Sequence, residues 1–150
     1  MDTGGTFTDC IGMDKTGKQY RQKVLSSSSL RGTITKVISE KEFQILDTWN
    51  LKRDILKGFS FRLLKNEYSD LSIESFDTTS KTIQLNKSLN DFQGLSGQNF
   101  EITSNEEAPI LGARLITQTA LNEEFPDLIL KLGSTKGTNA LLESFFGVLI

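Results

Sequence analysis

The residues best suited to chemistry stand at the start of the chain, in the run Asp2-Thr3-Gly4-Gly5-Thr6-Phe7-Thr8-Asp9. Adjacent glycines reach positive φ and lack a Cβ, so a ligand can approach the backbone closely. Successive N–H groups in such a turn form a concave site for an anion such as phosphate. The threonines add hydroxyl donors, and Asp2 or Asp9 could hold the water shell of a magnesium ion. An ordinary β-hairpin with a Gly-Gly turn and strand-forming threonines would have the same sequence. The run alone therefore does not distinguish a phosphate-binding turn from an ordinary hairpin.

A second segment with similar properties extends from Leu132 to Glu143. It reads Leu-Gly-Ser-Thr-Lys-Gly-Thr-Asn-Ala-Leu-Leu-Glu, in which an apolar strand end leads through a Gly/Ser/Thr turn into the start of a helix. A helix N-terminus supplies unpaired N–H groups and a partial positive charge, which again suit an anion. Taken by itself, however, the segment is better explained as a routine strand–turn–helix junction with Thr138 or Asn139 as the N-cap.

Together the two segments resemble the N-terminal part of the hydantoinase/oxoprolinase family, and most closely its oxoprolinase members. The family opens with Asp-x-Gly-Gly-Thr-Phe-Thr-Asp, which residues 2–9 match without a gap. It later carries Gly-Thr-Thr-x-x-Thr-Asn-Ala-Leu-Leu-Glu, which residues 133–143 match with Ser134 in place of the first Thr. Residues 106–117 also resemble the family's helix before that segment. The resemblance therefore covers both ends of the chain and the spacing between them.

The resemblance implies an ATP-dependent hydrolase that converts a cyclic amide, 5-oxoproline, to glutamate with release of ADP and phosphate. Its cofactors would be ATP and Mg²⁺, and catalysis would rest on positioning and charge neutralisation by N–H groups, hydroxyls and the metal. In this assignment Asp2 is the metal ligand, and Asp2 and Asp9 are the catalytic residues. The residues assigned to the nucleotide are Thr3, Gly4, Gly5, Thr6, Thr8, Gly133, Ser134, Thr135, Thr138 and Asn139.

Composition argues against several classes of protein, namely nucleic-acid binders, disulfide-linked proteins and membrane-spanning proteins. The chain has 150 residues, of which 37% are hydrophobic and 24% charged, an ordinary globular composition, and its net charge of −2 argues against a non-specific nucleic-acid binder. The single Cys10 excludes an internal disulfide and suits a small buried residue better than a nucleophile, because His is absent and no base is adjacent. No apolar run is long enough to span a bilayer and no signal peptide opens the chain, so we expect a cytoplasmic protein without a membrane partner.

The periodicity of apolar residues predicts the strands and helices that position these residues. Alternation over residues 7–13, a turn at 14–17 and a returning strand from Tyr20 predict a hairpin whose mouth is the Gly4-Gly5 turn. Helical signals return at Ser104, which has capping-box spacing to Glu107. The elements predicted after this helix are a strand at 128–132, a helix at 138–144 and a strand at 145–150.

Between these parts, short β-like runs separated by turns predict a small barrel or sandwich. The runs are 33–38, 42–47, 59–64, 71–76, 82–85 and 99–102. Its predicted core is Phe43, Ile45, Phe59, Phe61, Leu63, Ile73, Ile83, Leu85, Phe100 and Ile102. Trp49 suits packing under a loop better than a role as a stacking platform.

These elements predict an α/β lobe of residues 1–26 and 104–150, interrupted by a β-rich, barrel-like insertion of residues 27–103. The resemblance implies the ribonuclease H-like fold of actin, heat-shock ATPases and sugar kinases. We expect a fragment truncated at both ends, whose remainder or partner subunit completes the enzyme. We therefore expect the chain alone to bind ATP weakly at best and to hydrolyse no 5-oxoproline.

Two alternatives stay open at this point: a related small-metabolite kinase or carboxylase, and a non-catalytic binding remnant. The shared-site hypothesis makes one structural prediction. The Gly4-Gly5 turn and the turn at residues 134–139 should lie at the same edge of one sheet, because phosphate sites collect where backbone donors converge at strand ends.

Overall fold

The computed structural model describes residues 7–65, 68–127, 129–134 and 146–149. The chain divides into two compact units, the first of Met1–Ser29 with Glu106–Ile150 and the second of Leu30–Asn105. The boundaries predicted from the sequence fall a few residues earlier in each case. In chain order the described elements are β1 (Phe7–Met13), β2 (Gln19–Leu25), β3 (Leu30–Val37), β4 (Glu42–Leu46), β5 (Ser60–Leu63), β6 (Ile73–Asp77), β7 (Thr82–Leu85), a 3₁₀ turn (Phe92–Gly94), β8 (Asn99–Thr103), α1 (Ala108–Thr117), β9 (Ile129–Ser134) and β10 (Phe146–Leu149).

The first unit contains a four-stranded sheet in the order β10-β9-β1-β2, and every neighbouring pair is antiparallel. The predicted hairpin is confirmed as β1 and β2. Its turn is ordered by Asp14, whose Oδ1 accepts from the N–H groups of Thr16 (2.9 Å) and Lys18 (3.1 Å). Gly17 supplies the left-handed position, with φ +87°. The strands predicted at 128–132 and 145–150 are also present as β9 and β10, while the helix predicted at 138–144 lies outside the described residues.

Helix α1 packs on β1 and β2. Gly112 faces Cys10, and a Cβ on that glycine would overlap Cys10 Sγ. The predicted capping box is wrong: the N-cap is Glu107 and carries no side-chain capping bond, while Ser104 is buried outside the helix. The reason is local, because Asn105 has φ +63° and breaks the helical path after Ser104.

Arg114, which is 6% exposed, stabilises the C-terminal end of α1. Its guanidinium donates to both carboxylate oxygens of Glu106 at 2.7 Å and to the Ala120 carbonyl at 2.6 Å. Gln118 then adopts a left-handed conformation, which ends the helix.

The predicted α/β class with a ribonuclease H-like fold is wrong. The described residues are mostly β, with a curled antiparallel sheet and one α-helix. The prediction rested on the resemblance and on two helices expected around the sheet, of which the described residues contain one, α1. In the structure β9 and β10 pair antiparallel with their described neighbours.

The second unit is a six-stranded antiparallel sheet in the order β5-β8-β3-β4-β7-β6. Its two edges meet, since the Phe61 N–H donates to the Leu71 carbonyl and the Ile73 N–H to the Phe59 carbonyl, both at 2.9 Å. These bonds close the sheet around its apolar side chains. Gly32 permits tight closure, because a Cβ there would lie 2.5 Å from the Phe100 ring.

The core predicted for this unit is confirmed, since all ten of its residues are at most 4% exposed. Trp49 is confirmed as a packing residue: it is 2% exposed and meets the Phe76 and Phe100 rings edge-on. Across the part of the chain that the structure describes, no helix combines the length and apolar character needed to cross a membrane.

Candidate functional site

The strand ends that lead to the two glycine-rich segments are neighbours in the first sheet. Thr8 of β1 lies opposite Ser134 of β9, and Asp9 lies opposite Gly133. Because these strands run in opposite directions, β1 begins beside the point where β9 ends. Two segments from opposite ends of the sequence therefore meet the sheet at one edge.

Several predicted site residues lie outside the described residues, namely Asp2, Thr3, Gly4, Gly5, Thr6, Thr135, Thr138 and Asn139. The prediction that the two turns share one edge therefore stays a prediction for the turns themselves. The structure brings together the backbone positions of the other four assigned residues, Thr8, Asp9, Gly133 and Ser134.

Hydroxyl groups collect at this edge, because β2 ends there as well. Phe7 lies opposite Leu25, and the Thr8 hydroxyl is 3.2 Å from the Ser26 hydroxyl. The chain then turns through Ser26–Ser29, held by a bond of 2.8 Å from the Ser28 N–H to the Leu25 carbonyl. We call Thr8, Ser26, Ser27 and Ser29 the hydroxyl edge. None of the four serines was predicted from the sequence as a site residue. The missed signal was their position directly after the strand that returns to the start of β1.

Asp9 is the buried carboxylate of this region. Its side chain is only 3% exposed, and Oδ2 lies 3.4 Å from Nη2 of Arg21. Oδ1 is buried and has no hydrogen-bond partner in the described part of the chain. An unsatisfied buried acceptor costs about 1–3 kcal/mol, so a donor, a water molecule or a cation at Oδ1 would stabilise the carboxylate.

Two residues lie beside Asp9 in the sheet. On one side its partner is Gly133, which has no side chain, and on the other it is Lys23. Mg²⁺ in nucleotide sites usually takes one or two carboxylates and completes its shell with water and phosphate oxygens. Asp9 Oδ1 fits one such position. The described residues hold no group of three or more His, Cys, Asp or Glu that could bind a metal.

Positive charge lies on the same side of the hairpin as Asp9. Side chains two residues apart on a strand share a face, which places Arg21 and Lys23 together on β2, and both are exposed. Arg21 pairs with Asp9. Lys23 reaches over the ring of Phe7, with Nζ 5.9 Å from the ring centroid.

Cys10 has no catalytic role at this site. It is fully buried on the opposite face of β1 beneath Gly112. Burial, with a smaller contribution from the charge of Asp9, raises the pKa of its thiol to about 12. Because the thiolate is the reactive form, this confirms the interpretation of Cys10 as a core residue.

A separate groove lies on the second unit and has a volume of about 390 Å³. The residues that line it are Ile38, Ser39, Glu40, Lys41, Glu42, Gln84 and Phe92. It contains none of the residues assigned from the sequence, and its Glu40 is engaged by the Ser88 hydroxyl at 3.0 Å.

No family model, curated protein or solved structure matches this chain. A functional assignment therefore rests on the two motifs and on the strand register that brings their flanking residues together.

Proposed function

We propose that the first unit binds the phosphates of ATP with Mg²⁺ and serves an ATP-dependent hydrolase of a cyclic amide. The reaction is that of the oxoprolinase type, in which 5-oxoproline, ATP and water give glutamate, ADP and phosphate. The proposed compartment is the cytosol, where ATP is available and the lone thiol stays reduced.

The chemistry explains the need for ATP. An amide carbonyl is a poor electrophile, and transfer of the γ-phosphoryl group to its oxygen creates a leaving group. Water then adds to the activated carbon, and the C–N bond of the ring breaks to leave a free amine and an acyl phosphate. A second water molecule hydrolyses the acyl phosphate to the carboxylate and inorganic phosphate. Positioning and neutralisation of charge supply most of the catalysis in phosphoryl transfer.

Residues of the two motifs would bind the phosphates and the magnesium ion. Backbone N–H groups of Gly4, Gly5 and Thr6 would bind phosphate oxygens, as would the Thr8 hydroxyl. The segment that follows Gly133 would add donors from the neighbouring strand. Mg²⁺ would neutralise phosphate charge, with Asp2 and the free oxygen of Asp9 as the carboxylates available to hold it or its water.

One observation carries this proposal: the register that sets Thr8 opposite Ser134. The two phosphate-type motifs stand at opposite ends of the sequence. Their flanking residues are adjacent in one sheet, and this supports a joint site. The unsatisfied oxygen of Asp9 beside that register adds a place for a cation.

Titration of the 150-residue chain with Mg·ATP, Mg·tripolyphosphate and adenosine, followed by ³¹P and proton NMR, tests the proposal. We expect saturable binding of ATP and tripolyphosphate in the millimolar range, about −4 kcal/mol, and none of adenosine, because the assigned groups bind phosphate and not the base.

Gly5→Val provides the specific variant, since a branched side chain in the predicted turn should abolish binding. Gly94→Ala is the matched control, because no atom lies within 4 Å of a Cβ at that exposed glycine. Absence of binding by the wild-type chain, or equal binding by Gly5→Val, would contradict the proposal.

A further inference from the structure

We propose that the outer face of the second unit binds an extended acidic segment of a partner protein. The segment carries two apolar side chains four residues apart, with a carboxylate between them. This inference is independent of the proposed phosphate site, because it concerns a surface that contains no residue of either motif.

Four residues form a row across the strands on this face. Thr33 of β3 lies opposite both Leu46 of β4 and Asn99 of β8, and the N–H of Leu64, directly after β5, donates to the Asn99 carbonyl. Directly opposite residues of antiparallel strands share a face. The row points away from the core, because each member adjoins a buried residue of its own strand, namely Ile34, Ile45, Leu63 or Phe100. We call Leu46, Thr33, Asn99 and Leu64 the leucine row.

The two ends of the leucine row are exposed apolar side chains. Leu46 is 65% exposed, the most of any large apolar residue that the structure describes, and Leu64 is 38% exposed. Single exposed leucines are common on protein surfaces. These two, however, flank polar groups that can orient a ligand, and removal of their side chains from water would favour association.

Positive charge lies in the adjacent row of the same face. Glu101 lies opposite Arg31 on one side and Arg62 on the other. Its carboxylate is 11% exposed and accepts from Nη2 of each arginine at 2.6 Å. We call Arg31, Glu101 and Arg62 the arginine row. Because two cations share one carboxylate, the arginine row keeps a net positive charge, and the exposed guanidinium of Arg62 can bind a further carboxylate.

The length of the leucine row favours an extended segment. Three strand-to-strand steps separate Leu46 from Leu64, which makes about 14 Å along the sheet. In an extended chain residues i and i+4 share a face and lie about 13 Å apart, so both can contact a leucine. Residue i+2 then lies over Thr33 and Asn99. The Thr33 hydroxyl donates to the amide oxygen of Asn99 at 2.8 Å, and the amide nitrogen of Asn99 is a donor for a carboxylate at i+2.

A single-stranded nucleic acid fits this face less well. Its bases stack on exposed aromatic rings. The aromatic residues of these strands are buried in the core, namely Phe43, Phe61 and Phe100. Exposed aliphatic side chains beside a small positive charge suit an acidic peptide better.

The test titrates the blocked peptide Ser-Leu-Ser-Glu-Ser-Leu-Ser into the full chain, with backbone and side-chain NMR shifts as the readout. We expect saturable changes at both rows with a dissociation constant of about 1 mM. The same peptide with Gln in place of Glu should bind severalfold more weakly, and with Lys more weakly still, because the charge at i+2 is lost or reversed.

Two variants assign the contacts. Leu46→Ser should weaken binding of the Glu peptide about tenfold, because it removes an apolar contact. Arg62→Gln should weaken the Glu peptide severalfold and leave the Gln peptide unchanged, a difference that a purely structural role of Arg62 would not produce. The matched controls are Ile38→Ser, at an exposed apolar residue outside both rows, and Lys87→Gln, at an exposed lysine after β7. Both should bind as the wild type does.

No saturable change at the two rows, or equal affinities of Leu46→Ser and Ile38→Ser, would overturn the proposal. Shifts at these rows that depend on protein concentration without peptide would identify a second copy as the occupant instead. Tighter binding of oligothymidylate than of the Glu peptide at the same rows would identify a nucleic-acid surface, and either result would overturn the proposal. Circular dichroism shows whether each variant folds, and if Arg62→Gln does not, the comparison of the three peptides on the wild-type chain decides.

Discussion

At the residue scale, the contact between Gly112 and Cys10 fixes how closely α1 approaches the sheet. A Cβ at position 112 would overlap Sγ of Cys10 and lie 2.9 Å from its Cβ, with Val24 also in contact at 3.6 Å. Both neighbours are fully buried, so neither can move into solvent. The site residues Thr8 and Asp9 directly precede Cys10 on β1, and the helix therefore supports the strand that carries them.

Gly112→Ala sets two effects against each other. Alanine favours a helix interior by about 1 kcal/mol over glycine, whereas overpacking of a core costs about 1–3 kcal/mol. Because the overlap involves a Cβ atom fixed to the backbone as well as a thiol, we expect overpacking to prevail and the free energy of unfolding to fall. Urea denaturation measures the change, with Gly94→Ala as the control in open space. A more stable Gly112→Ala would show that the helix shifts without cost.

At the element scale, the β1–β2 turn depends on one carboxylate. Oδ1 of Asp14 accepts the Thr16 hydroxyl at 2.6 Å as well as two N–H groups, and Oδ2 accepts the Tyr20 hydroxyl at 3.2 Å. The hydrogen bond from the Thr16 side chain is the largest of the effects that hold the pKa of Asp14 below its ordinary value. This turn sets the register of the hairpin and thereby the positions of Thr8 and Asp9.

The lowered pKa predicts how the hairpin responds to acid. A carboxylate whose pKa is depressed by folding stabilises the folded state fully above its unfolded pKa of about 3.9, and this contribution is lost as the pH falls through the folded value. Asp14→Asn should therefore unfold more readily than the wild type at pH 6, and the difference should vanish toward pH 2. Thermal denaturation at both pH values measures it. Asp127→Asn is the control, because the pair of Asp127 with Lys15 is 83% exposed on both sides and contributes little. A constant difference for Asp14→Asn across the range would contradict the assignment.

The sequence predicts short elements well where periodicity and turn chemistry agree. The hairpin follows from alternation and from Asp14 to Gly17. The strands of the second unit follow from runs such as Phe59, Phe61 and Leu63, whose alternate positions all face the core. The start of α1 is predicted less well, because the left-handed conformation of Asn105 overrides the spacing of Ser104 and Glu107.

At the scale of the whole molecule, local sequence patterns do not determine whether neighbouring strands run parallel or antiparallel, or whether a sheet closes on itself. The apolar run at β9 reads equally as a parallel or an antiparallel strand, and only the register with β1 shows it to be antiparallel. Closure of the sheet of the second unit depends on backbone hydrogen bonds between residues 59–61 and 71–73. No local sequence pattern predicts these bonds. The candidate site was predictable at Thr8 and Asp9, which lie in a motif. The serine turn was not, because its proximity to that motif follows from strand pairing.

We propose that phosphate binds at the edge of the first sheet where β1 begins and β9 ends. Addition of Mg·tripolyphosphate to the wild-type chain, followed through the changes in backbone amide NMR shifts, tests this proposal. We expect the largest changes at residues 7–9, 26–29 and 133–134. Residues 14–18, at the other end of the hairpin, should stay unchanged. Changes confined to that turn or to the groove of the second unit, or no saturable change anywhere, would show that phosphate does not bind at this edge.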